Sequence, residues 1–175
     1  MKKVIVTIGM TLMLVSTPLA QTLIPAYEPI TEWYYEPAAF NNMYKGYLGV
    51  AVTAGADDML ITRLGRYSHD GLYRKNHLLY VLNVDHTTNG VIALPKTHVT
   101  KTFVWAPLTN QVIIPAGHTN YIVTETGEGD TYADSMGLPL SDTNVVKAFS
   151  CFGPTLNTIV SWAPNQIYGP VNYER

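Results

Sequence analysis

The sequence predicts an all-β protein: an antiparallel β-sandwich, jelly-roll-like, of about ten strands. Three observations point there. Runs rich in Val, Ile, Leu and Tyr recur with Gly, Pro, Asn or Asp between them, at the roughly 8–12-residue spacing of short strands joined by turns. The 12 tyrosines, 13 glycines and 11 prolines suit pleated strands and turns better than helix. The intervals between runs are too short for the crossover helices of a parallel sheet.

Taken in order, the chain begins with Lys2 and Lys3, an apolar run over 4–15 and then Ser16, Thr17, Pro18, Leu19 and Ala20. Charged, apolar and small-residue regions in that order are a secretory signal peptide over 1–20, cut after Ala20 and too short to span a bilayer. Removing Lys2 and Lys3 from the 11 basic residues leaves 9 against 13 acidic ones, a mature charge of −4. Residues 21–45 carry Pro25, Pro29 and Pro37 around Trp33, Tyr34 and Tyr35, which forbids a long helix and predicts an extended arm. Such an arm can lie on its own domain or donate a strand to a neighbour's sheet edge.

The sandwich is expected over 46–175. Strands are predicted at 47–52, 59–67 and 77–84, the last apolar on both faces and therefore interior to a sheet. Asn89 and Gly90 predict a hairpin turn before a strand at 91–94. Further strands are expected at 102–106, 111–114, 121–125, 145–152, 158–162 and 167–173, with a helical turn at most near 141–144. The single cysteine, Cys151, lies in a strand-like run and is expected to be a buried, inert thiol, so packing rather than a disulfide must hold the fold.

Several segments stand in a recognisable order: Gly46 to Val50; Ile61-Thr62-Arg63-Leu64-Gly65-Arg66-Tyr67; Gly71 and His77; Phe103 to Leu108; Val112 to Gly117 with Tyr121 to Val123; Glu125 to Asp134; and Tyr168-Gly169-Pro170-Val171-Asn172-Tyr173. Together they resemble a secreted bacterial β-sandwich (jelly-roll) accessory module of extracellular and surface proteins. The resemblance covers about 46–175 and implies an accessory role without catalysis. Tyr132 stands where that pattern has tryptophan, and Ala133 where it has tyrosine.

Composition narrows the chemistry. A charged fraction of 14% and a net charge of −2 leave no basic cluster for nucleic acid, and after processing no stretch could span a membrane. His69, His77, His86, His98 and His118 show no metal-ligand spacing, and His77 is expected to hydrogen-bond a neighbouring loop. No nucleophile elbow, phosphate loop or Cys/His pair is present, so no catalytic residue is assigned. Glu125, Glu128, Asp130 and Asp134 beside Gly127 and Gly129 are the candidate ligands of a structural calcium ion, since hard oxygen donors in a Gly-containing loop suit Ca²⁺. Trp33, Tyr132 and Trp162 are the candidate ligand-binding aromatics, and Trp105 is expected in the core.

These features lead to a secreted, extracellular or cell-surface binding module that is not an enzyme and recognises an extracellular polysaccharide. The alternative is a structural subunit of a fibre, surface layer or matrix, assembling with like subunits through sheet edges and the N-terminal arm.

Overall fold

A computed structural model describes residues 40–41, 44–68, 75–100, 102–127, 130, 132–135, 142–164, 167–168 and 171–175, with only the backbone course given at 40–41, 132–135 and 167–168. The signal peptide, Trp33 and Glu128 lie outside these residues, as do the side chains of Tyr132 and Asp134. Among the described residues every regular element is a strand apart from one short 3-10 turn at Leu156–Thr158. In chain order the strands are β1 (Phe40–Asn41), β2 (Gly46–Ala54), β3 (Met59–Ser68), β4 (His77–Asn83), β5 (Thr88–Leu94), β6 (Thr102–Ile114), β7 (Thr119–Thr126), β8 (Tyr132–Ser135), β9 (Val145–Gly153), β10 (Val160–Pro164), β11 (Ile167–Tyr168) and β12 (Val171–Glu174).

Among the described residues all strand pairings are antiparallel. One layer is a six-stranded sheet of order β10-β9-β2-β7-β4-β5 and the other a three-stranded sheet of order β12-β3-β6. A small sheet, β1-β8-β11, ties Phe40 and Asn41 to Ala133 and Tyr132. Alternation sends Val50, Val52, Leu79, Val81 and Ile122 of the larger sheet inward against Met59, Ile61, Leu64 and Ile114 of the smaller, all with essentially no exposure. Each such side chain contributes about 1.5–3 kcal/mol by leaving water. A second cluster, on the outer face of the six-stranded sheet, gathers Ala51, Leu82, Tyr121, Val123 and Cys151 beneath Ile159, with Leu156 packed beside it. Cys151 is buried there and its pKa is pushed up by burial, as an inert thiol should be.

The course of the strands departs from the sequence reading in three places. Asn89 and Gly90 do not make the hairpin turn; they lie within β5, and the chain reverses over 84–87 with His86 at φ 68°. Gly90 serves another purpose, because a Cβ there would come within 2.7 Å of Val112 Cγ2 and 3.0 Å of Leu108 Cδ2, where β5 crosses β6. The two strands expected at 102–106 and 111–114 are one, β6, which tolerates Pro107 because it is an edge strand whose register shifts opposite Ile61 and Arg63. The strand expected at 167–173 is two, with Ile167–Tyr168 in the small sheet and Val171–Glu174 on β3.

Candidate functional site

The polar site at one end of the sandwich begins with a change of parity in β3. Met59 and Ile61 point inward, and strict alternation would send Arg63, Gly65 and Tyr67 after them. The register shift between Ile61 and Arg63 reverses this, so that Leu64, Arg66 and Ser68 are the inward residues. Arg66 is thereby carried between the layers with no exposed surface. Its Nη1 donates to Thr124 Oγ1 at 2.9 Å, and that hydroxyl in turn donates to the Leu78 carbonyl at 3.2 Å.

Leu79 pairs with Thr124 across β4 and β7. His77 and Thr126 therefore stand one pleat further along on the same inward face, 1% and 2% exposed. Asp130, 7% exposed, closes the group: its Oδ2 accepts from the Gly127 amide at 2.7 Å and its Oδ1 lies 3.8 Å from His77 Nε2. At the rim Lys75 Nζ bonds Glu125 Oε1 at 3.1 Å.

The electrostatics follow from burial. Loss of water lowers Arg66 to about 10, against the opposing pull of Asp130 and Glu125, so it remains a cation at neutral pH. Burial, with the Arg66 charge beside it, lowers His77 to about 4; Asp130 and the Glu125 main chain pull the other way. The imidazole is consequently neutral. Arg66 Nε and Nη2 and Thr126 Oγ1 are buried without a hydrogen-bond partner among the described residues, and His77, drawn toward the Glu125 main chain, leaves at least one ring nitrogen unpaired. Such groups are rare in folded proteins.

The candidate residues separate. Trp162 stands on edge strand β10, 66% exposed, its ring edge-on to Phe152 at 6.0 Å. Tyr132 and Asp134 are on β8, where their backbones pair with Asn41 and Tyr168. Of the candidate calcium ligands, Glu125 is engaged by Lys75 and Asp130 faces Gly127 and His77; among the described residues no three His, Cys, Asp or Glu side chains are grouped to hold a metal ion.

Trp105 is not in the core. It lies half-buried on the outer face of the three-stranded sheet, opposite Gly65, where a Cβ would come within 2.5 Å of its Cε3. Phe103 packs against it at 5.5 Å, and the Arg63 guanidinium, ion-paired with Glu174 at 2.8 Å, sits 5.6 Å from its ring centre. Arg66, Thr124 and Thr126 escaped the sequence reading because nothing local announces the parity change. The available signal was the odd spacing of Arg63 and Arg66, which puts two arginines of one strand on opposite faces.

No helix among the described residues is long and apolar enough to cross a membrane. No protein-family model matches the chain, and comparison with curated proteins finds no match.

Proposed function

We propose that this chain is an exported, non-catalytic binding module that presents aromatic side chains at its sheet edge to an extracellular glycan. The observation that supports this reading is Trp162, 66% exposed and held edge-on by Phe152 at 6.0 Å. An indole fixed in that way offers a flat apolar face at little entropic cost, and sugar rings stack on such faces through their C–H bonds. The test is retention of the purified protein on insoluble and immobilised polysaccharides. Retention by at least one polymer, lost in Trp162→Ala, is expected; no retention on any polymer overturns the reading.

A second reading, assembly with like subunits, is favoured by the edges of the six-stranded sheet. Val91 on β5 and Val160 beside Trp162 on β10 are 45% and 49% exposed, and an apolar edge is a template for another strand. Light scattering across a concentration series, with and without residues 21–39, tests it. Assembly that depends on those residues supports this reading, whereas a strict monomer in both forms removes it.

A further inference from the structure

We propose that two copies of this chain pair through β10, antiparallel about a two-fold axis at Ser161, to form a closed dimer. The proposal rests on the assembly reading and narrows it to one edge, one register and one size, with no part for residues 21–39.

The edges of the two main sheets differ. In the smaller sheet β12 is buried along its length, and β6 carries Pro107, which has no N–H to offer, at its register shift. In the six-stranded sheet the β5 edge is crossed by β6 at Gly90, where a Cβ would come within 2.7 Å of Val112 Cγ2. The β10 edge is open: Val160 is 49% and Trp162 66% exposed, and Ser161 and Pro164 are exposed as well. Ala163 turns its main chain toward β9, its amide donating to Ser150 Oγ at 3.1 Å, so alternation leaves the amide and carbonyl of Trp162 facing outward. Natural edge strands are commonly blunted by charge. Here no Asp, Glu, Lys or Arg occurs from 148 to 173, and a second copy of the edge meets no repulsion.

The residues of β10 choose the register and the partner. Val160 pairs with Phe152 and the Trp162 ring meets Phe152 edge-on at 6.0 Å, so both lie on that face. Ser161, opposite Cys151, points to the other face. With the axis at Ser161, Val160 of each copy stands opposite Trp162 of the other. Two aromatic–β-branched pairs then form on one face, and the two Ser161 side chains meet on the other. The same register sets the outward main-chain groups of Trp162 against those of Val160. That reciprocity selects a second copy of this chain over an unrelated strand, and an interface used up by its own copy stops at two.

Sedimentation velocity of the purified protein from about 1 µM to about 1 mM tests the proposal. A monomer that becomes a dimer, and nothing larger, is expected. Ser161→Lys and Ser161→Asp each set like charges across the axis and should weaken the dimer about tenfold, and mixing the two variants should restore it. A monomer at every concentration, assemblies that grow past two, a dimer that Ser161→Lys leaves unchanged, or a mixture that stays monomeric each overturns the proposal. Assembly that is lost without residues 21–39 yet indifferent to Ser161→Lys sinks this interface and leaves the wider assembly reading standing.

Discussion

The two ends of the sandwich are built from similar residues but resolve their polar groups in opposite ways. At one end short links close on each other. The Ala54 amide donates to the His118 carbonyl at 3.0 Å, the Gly55 amide to Asn144 at 2.6 Å and the Ala116 amide to Asp58 Oδ1 at 2.9 Å. Asp142, 2% exposed, accepts from the Tyr173 hydroxyl, the Asn144 amide and Arg175 Nη2. At the other end Arg66, His77 and Thr126 are as deeply buried and have donors and acceptors unmatched among the described residues. Each unmatched buried atom costs stability, and the first end carries one such atom, Arg175 Nε, where the second carries several on Arg66, His77 and Thr126. The difference teaches that burial alone does not settle polar groups: the closed end matches most of its donors and acceptors, and the polar end leaves several unmatched among the described residues.

Asp142→Ala should have the largest effect, because it strands three donors around one buried position; denaturant unfolding is expected to show a loss of about 3 kcal/mol. A loss below about 1 kcal/mol would show that this end is held by its backbone bonds alone.

The next effect is in pH. His77 titrates near 4 when folded against the ordinary 6.5. The unfolded chain therefore takes up a proton below 6.5 that the folded chain refuses until about 4. The stabilisation is complete above 6.5 and is lost as pH falls through that window, by an amount on the order of 2–3 kcal/mol. Unfolding free energy measured from pH 7.5 to 4 should decline more steeply in the wild type than in His77→Gln; parallel curves would remove His77 as the cause.

Thr126→Val should act with the opposite sign to Asp142→Ala. It removes an unmatched hydroxyl at nearly constant volume, so the protein should gain up to about 1 kcal/mol. A loss of that size would mean the hydroxyl is already bonded in the folded protein.

The smallest stability effect belongs to Trp162→Ala. The residue is mostly exposed, and its removal should leave unfolding within about 0.5 kcal/mol of the wild type while abolishing polymer retention. A large loss of stability would instead make Trp162 part of the packing.

Much of this organisation is local and can be read from the chain itself. The apolar runs at 47–52, 77–83 and 121–126 specify pleated strands interior to a sheet and buried on both faces, and their starts and stops follow from Gly, Pro, Asn and Asp between them. The buried thiol of Cys151 and the exposed indole of Trp162 were legible in the same way, from an apolar run and from a loop edge. Asn89 and Gly90 were misread because the same pair serves a turn or a close crossing, and only the neighbouring strand β6 says which.

The sequence by itself thus determined an antiparallel all-β chain, most of its strands and an exposed candidate aromatic, Trp162, because period and turn chemistry act between residues a few positions apart. The tertiary structure alone decided which face each side chain joined. The register shift opposite Pro107 turned Arg66 inward and Trp105 outward, and pairing across distant strands brought His77, Thr124, Thr126 and Asp130 to Arg66. Parity in a strand depends on its partner's register, and register is a property of two segments that the intervening chain does not specify.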